Sequence, residues 1–120
     1  MFNKVVLIFV GGGIGSVLRY LINYSLIFLQ VNQISTLLVN VIGSLAFGLI
    51  YAVVTHNTLI SIFLLTGILG GFTTYSQFTF DLIELSGQSQ TATLLYFFGT
   101  IILSILAGLL GVYIGTKMVN

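Results

Sequence analysis

The chain is 120 residues long, 58% hydrophobic and 4% charged, with no proline, no cysteine and a mean hydropathy of +1.19. Its charges are Lys4, Arg19, Lys117, Asp81 and Glu84, whereas a water-soluble domain carries roughly a quarter of its residues charged. A soluble domain is therefore excluded, as are a nucleic-acid footprint, for want of basic residues, and any disulfide framework, thiolate metal site or thiol nucleophile.

A bilayer core about 30 Å thick takes ~20 apolar residues per helical span, so four spans use ~80 residues. The chain reads as an all-α membrane protein, a single four-span domain over 1–120, multi-pass in the cytoplasmic membrane. Span one covers about 4–28 and reads as a retained span, because the later segments are as apolar as the first. Gln30-Val31-Asn32-Gln33 breaks it from span two, about 34–54. Thr55-His56-Asn57-Thr58 follows, with His56 expected in a solvated connector. Span three, about 59–84, is polar in its second half, and span four covers about 93–116. The short connections predict sequential helices as antiparallel neighbours. Gly11/Gly15, Gly67/Gly71 and Gly111/Gly115 have the small-xxx-small spacing that lets helix backbones touch in lipid. Lys4 and Lys117 share one side with His56, and Arg19 lies toward the other, so the positive-inside bias is weak and the chain can insert in both directions.

Polar side chains at membrane depth usually face a bundle interior or a water-filled path. Thr36, Asn40 and Ser44 recur every four residues in span two, and Tyr96, Thr100 and Ser104 do so in span four. Each set forms a polar track on one helix face, and interhelical hydrogen bonding is the bland alternative. In span three, Leu59 to Gly71 gives only ~20 Å of helix. Two glycines and the patch Phe72-Thr73-Thr74-Tyr75-Ser76-Gln77-Phe78-Thr79 follow. This predicts a break in the third helix, tolerated at depth only where protein or a cavity satisfies the freed backbone groups. Its carbonyls are hard ligands for a small cation. Asp81 and Glu84, three apart near a helix end, read as interfacial charges. Nothing assembles a nucleophile with its base, so the chain is not an enzyme.

With these residues in place, the chain resembles the Fluc (CrcB) fluoride channel family over nearly its whole length. The resembling pieces are Gly12-Gly13-Ile14-Gly15-Ser16-Val17-Leu18-Arg19-Tyr20, Thr36 to Ser44, and Gly67 to Phe78, with Tyr96, Thr100 and Ser104 on the span-four track. The resemblance implies an antiparallel, dual-topology dimer with two fluoride pores at the subunit interface, a homodimer or a heterodimer with a related chain in opposite orientation. It also implies a structural Na⁺ at the dimer centre, held by the backbone carbonyls of Gly70 and Thr73. Carried over by position, the pore aromatics are Tyr75 and Phe78, the span-two asparagine is Asn40 and the arginine is Arg19. With Thr36, Ser44, Ser76, Tyr96, Thr100 and Ser104 as hydroxyl donors, these make up the expected ion pathway for fluoride, in contact with membrane lipid outside. The chain departs from the family in having Tyr75 for the usual Phe, Asp81 for Glu, and Gln77 where Thr or Ser is common. The alternatives are a small multidrug-type proton-coupled exporter, which needs a membrane-embedded carboxylate, and an accessory subunit of a larger membrane complex.

Overall fold

A computed structural model describes residues 1–54 and 57–120; Thr55 and His56, the expected connector, lie outside the described residues. Four helical stretches are long and apolar enough to cross a membrane. They are α1 (Phe2–Ser25), α2 (Asn32–Val54), a third over Thr58–Ser86, and α5 (Gln90–Val119). The third stretch is divided. Its first part, α3 (58–72), contains wide turns of π-helix over Ile62–Leu69, and its second part is α4 (Tyr75–Ser86). Between them Thr73 and Thr74 are extended, with φ/ψ of −77°/155° and −147°/119°.

Short polar side chains set the helix starts. Asn57 Oδ1 accepts from the Ile60 amide at 3.1 Å, Thr74 Oγ1 from the Gln77 amide at 3.2 Å, and Ser89 Oγ from the Ala92 amide at 3.2 Å. Each satisfies one of the donors that a helix leaves unpaired at its N-terminus. Beyond α1 the chain tightens into a 3₁₀ turn, Ile27–Leu29, closed by Gln30 with φ 53°.

The helices pair through glycine. A methyl group at Gly11 would sit 2.8 Å from the Phe63 carbonyl oxygen; one at Gly15 would collide with the Ile68 carbonyl, and one at Gly71 with that of Gly12. The second pair is built the same way, Gly48 lying against the Gly108 carbonyl, Gly111 against Leu45 and Gly115 against Leu49. Residue numbers rise together along both pairs, so α1 runs parallel to α3, and α2 parallel to α5. The tightest contacts thus join alternate spans, which corrects the expectation of sequential neighbours. The physical reason is that lipid tails are as apolar as leucine, so close backbone approach at small residues decides which helices associate. Among the described residues the buried large apolar side chains are few: Val39, Leu69 and Phe72 form one cluster, with Ile22, Ala46, Ile50 and Leu65 packed around it, and Phe78 is buried apart from it. Most large apolar side chains point outward, as a chain solvated by lipid allows.

Replacing Gly15 by Val is expected to drive the α1–α3 pair apart and to cost at least the ~1–3 kcal/mol of an overpacked core. Gly13→Ala, where an added methyl group meets nothing within 4 Å, is expected to change stability by no more than ~0.5 kcal/mol. Denaturant unfolding in detergent, followed by circular dichroism, separates the two.

Candidate functional site

The extended link at Thr73–Thr74 is held by α2. Asn40 Nδ2 donates to the Thr74 carbonyl at 3.0 Å, and the Thr74 amide donates to Asn40 Oδ1 at 2.8 Å. One side chain therefore satisfies both backbone polar groups of a residue that is 8% exposed. In a continuous helix the Thr74 amide would bond the Gly70 carbonyl; here that donor is diverted. The Thr73 amide and hydroxyl both go to the Leu69 carbonyl, at 3.0 and 2.9 Å. The carbonyls of 70–72 at the end of α3 are thereby left without helical donors, and among the described residues a long contact from Ser16 Oγ, 3.5 Å, reaches that of Gly71.

Beside the link runs a groove of about 840 Å³ between α2, α4 and α5. Asn40, Ser44, Thr73, Tyr75, Phe78, Thr100 and Ser104 line it, and apolar residues such as Phe97, Ile101 and Ile105 complete its wall. Ser44 Oγ turns back to the Asn40 carbonyl at 2.7 Å. The hydroxyls of Thr100 and Ser104 are buried and have no hydrogen-bond partner among the described residues. Phe78 is buried, packed on Tyr96, Phe97 and Tyr75 with ring centroids 5.4, 6.2 and 6.1 Å away, whereas Tyr75 is 81% exposed.

A smaller cavity, about 230 Å³, is polar and includes Ser16, Arg19, Asn23, Thr36, Thr74 and Gln77 in its lining. Thr74 lines both cavities, so the Asn40–Thr74 link lies between them. Of the expected pathway residues, Asn40, Ser44, Tyr75, Phe78, Thr100 and Ser104 come together in the groove, and Arg19 and Thr36 in the polar cavity. Ser76 lines neither and lies 3.3 Å from Thr74 Oγ1. Thr73 reaches the groove, while Gly70 is exposed.

Asp81 is not an interfacial charge; it is fully buried. It stands one turn past Phe78 on the inward face of α4, where Tyr96 Oη donates to its Oδ2 at 2.8 Å and Gln77 Nε2 to its Oδ1 at 2.9 Å. The hydroxyl of Tyr96 is thus already engaged. Gln77 and Asp81 are four apart on a helix, a spacing at which side chains meet, so the pair is legible in the sequence from that spacing, whereas Asp81's place near a helix end says nothing of its burial. Among the described residues no three His, Cys, Asp or Glu side chains gather as a metal site.

The family model described as "CrcB-like protein, Camphor Resistance (CrcB)" matches residues 6–116. The chain belongs to the CrcB family. Among curated relatives it is 40% identical over 109 residues to the "Fluoride-specific ion channel FluC" of Paracoccus denitrificans (strain Pd 1222), covering 88% of each chain. It is 37% identical over 124 residues to the protein of the same name from Rhizobium meliloti (strain 1021), covering 98% of this chain and 99% of the relative. To that of Dichelobacter nodosus (strain VCS1703A) it is 48% identical over 83 residues, 65% of this chain and 68% of the relative. These CrcB relatives are named as channels, not enzymes, and with four membrane-capable helices this CrcB chain is a multi-pass protein of the cell membrane.

Asn40→Ala is expected to leave the Thr74 amide and carbonyl buried without partners, at ~1–3 kcal/mol for each group. Hydrogen exchange at the Thr74 amide, slow in the parent protein, is expected to rise by at least tenfold in the variant. Unchanged protection would show that Asn40 does not hold the link.

Proposed function

We propose that this CrcB chain is a passive, fluoride-selective channel that lets fluoride leave across the cytoplasmic membrane and so lowers its concentration in the cytoplasm. The observation that carries the reading is the groove between membrane-capable helices: its polar lining is uncharged, and the Thr100 and Ser104 hydroxyls are unpartnered among the described residues, in a lining shared with the buried Phe78. Fluoride is small and tightly hydrated, so a pore must offer donors in place of water at successive steps. Thr100, Ser104 and Ser44 supply hydroxyls, and Phe78 supplies ring edges, where the aromatic quadrupole is positive. Asn40, whose amide has a second N–H beyond the one given to Thr74, adds a donor at the link. Thr36 and Arg19, in the polar cavity, attract and hand on the anion, Tyr75 lines the groove at the start of α4, and Ser76 takes part through Thr74, whose hydroxyl lies 3.3 Å from its own. Tyr96, its hydroxyl held by Asp81, borders the path through its ring, which packs on Phe78. The names and extent of similarity of the relatives support fluoride as the ion.

The groove is open on one side, and in the proposed assembly that side is closed by a second, oppositely inserted subunit, the same chain or a related one. Two such grooves then give two pores. The extended Thr73–Thr74 link is the functional break of the third helix, and the chemistry of its donors fits a structural Na⁺ at the dimer centre. The Gly70 carbonyl has lost its helical donor to the Asn40 side chain, and hard carbonyl oxygens suit a small hard cation. Gly70 and Thr73 carbonyls from both subunits would hold it, and a cation there offsets the desolvation cost of anions nearby.

One feature favours the proton-coupled exporter instead, since that mechanism needs a membrane-embedded carboxylate and Asp81 is one. Both of its oxygens are occupied by neutral donors, and the similarity to channel relatives runs the length of the chain, so the channel is the better reading.

Efflux from liposomes containing only this protein decides between them. Fluoride is expected to leave rapidly and chloride not measurably, independent of a proton gradient; equal rates for both ions, or no fluoride efflux, would overturn the channel. The same assay is expected to show Phe78→Ile, and Thr100→Val combined with Ser104→Ala, slowing fluoride by tenfold or more, on the scale of ~1.4 kcal/mol. A high-resolution map in Na⁺ buffer with no density among the Gly70 and Thr73 carbonyls would refute the sodium site.

A further inference from the structure

The channel reading uses the groove and the polar cavity but assigns no role to Gln77, although Gln77 touches the one fully buried charged side chain among the described residues. A carboxylate next to an anion path is an electrostatic difficulty, because a like charge in a low-dielectric setting repels the passing ion and bare burial is costly. Asp81 meets it with two neutral donors, one for each oxygen: Gln77 Nε2 at 2.9 Å and Tyr96 Oη at 2.8 Å. The donors come from different places. Gln77 is one turn earlier on α4 and lines the polar cavity, whereas Tyr96 is on α5 and packs on Phe78, centroids 5.4 Å apart. The contacts form a chain: amide of Gln77, carboxylate of Asp81, hydroxyl of Tyr96, ring of Phe78, and then the groove.

We propose that Gln77 is a positioning residue for the ion path, its amide fixing the Asp81 carboxylate so that Oδ2 anchors Tyr96 and Tyr96 in turn sets the ring of Phe78 toward the groove. This deepens the channel reading and rests on it. Asp81 has a single rotatable bond beyond its Cβ. With Oδ1 held by Gln77, the plane of the carboxylate is fixed, and so is the direction in which Tyr96 finds its acceptor. With Gln77 removed, Oδ1 is a buried acceptor without a partner, and the carboxylate gains by rotating toward whichever donor remains. Tyr96 is that donor, and its ring shifts with it. Gln77 itself is solvent-accessible, so the polar cavity reaches one end of this chain of contacts while the groove reaches the other.

The test is a mutant cycle read by fluoride efflux from liposomes, with dimer and fold checked by size exclusion and circular dichroism. Gln77→Leu, which keeps the bulk and removes the donor, is expected to slow efflux by about tenfold, the scale of one hydrogen bond to a charged group. Gln77→Glu, which sets an acceptor against the carboxylate, is expected to slow it further. In a Tyr96→Phe background, where the anchor is already cut, Gln77→Leu is expected to have less than a twofold effect. A map of Gln77→Leu is expected to show the Tyr96 and Phe78 rings displaced, a readout that does not depend on which ion flows. Full efflux in Gln77→Leu, or an equal loss with and without the Tyr96 hydroxyl, overturns the proposal. Should Gln77→Leu fail to fold, Gln77→Glu carries the same cycle. A parent protein that conducts no fluoride defeats the channel reading itself, and an unmoved Tyr96 in the map then defeats this proposal separately.

Discussion

Everything in the site hangs from two hydrogen bonds between one asparagine side chain and one threonine backbone. A polypeptide in hydrocarbon has no water to satisfy its amides and carbonyls, so an extended residue between two helices is admissible only if something replaces the lost helical bonds. Asn40 does so for Thr74 in both directions, donating at 3.0 Å and accepting at 2.8 Å. The consequences spread outward. Because the Thr74 amide is taken, carbonyls at the end of α3 lose their donors; because Thr74 is extended, its hydroxyl can cap α4 at the Gln77 amide; and because α4 restarts there, Phe78 and Asp81 fall on its inward face, toward α5. An ordinary helix through Thr73 and Thr74 would rotate all of these side chains to other directions.

The glycine seams explain why Asn40 is in reach. On α2, the helix that carries Asn40, Gly43 lies against the Thr73 methyl group, and Gly48 lies against α5 at Gly108. A larger residue at either position would lift α2 away from the link or from α5. The close approach that lipid rewards through dispersion thus also sets the width of the groove. Packing and site are one construction here: α1 supports α3 up to the link, and α2 supports both the link and the far wall formed by α5.

Much of this was legible in the residues. Five charges among 120 residues imply a membrane protein, and four apolar stretches correspond to four membrane-capable helices. The four-residue spacing predicts two polar tracks, Thr36, Asn40 and Ser44 on one helix and Tyr96, Thr100 and Ser104 on another; Asn40, Ser44, Thr100 and Ser104 line one groove, whereas Thr36 lines the polar cavity and Tyr96 lines neither. Three things were not legible. Which helices touch most closely depends on matching glycines across distant segments, and no local pattern shows that Gly15 meets Ile68. Asn40 reads as a donor to spare until its partner is known, since an amide's use depends on what lies opposite. Asp81 sits near a helix end in sequence, yet burial is set by the face it occupies, and that follows from where α4 restarts after Thr74.

The distribution of charge bears on how the proposed path can conduct at all. An anion held by a full positive charge at depth would enter readily and leave slowly, and conduction needs sites weak enough to release the ion. Along the groove the donors are hydroxyls, an amide and ring edges, each a fraction of a charge. The one arginine stands aside in the polar cavity with Thr36, where, in the proposed path, its charge would raise the local concentration of anion at entry. The one buried carboxylate is neither removed nor exposed: its oxygens are turned to Gln77 and Tyr96, so neutral donors, not the ion, meet its negative charge first. That arrangement keeps a like charge within the protein close to the proposed path without presenting it to the passing ion, so the orientation of two neutral side chains joins the hydroxyl donors and the proposed central cation in setting how easily an anion would pass.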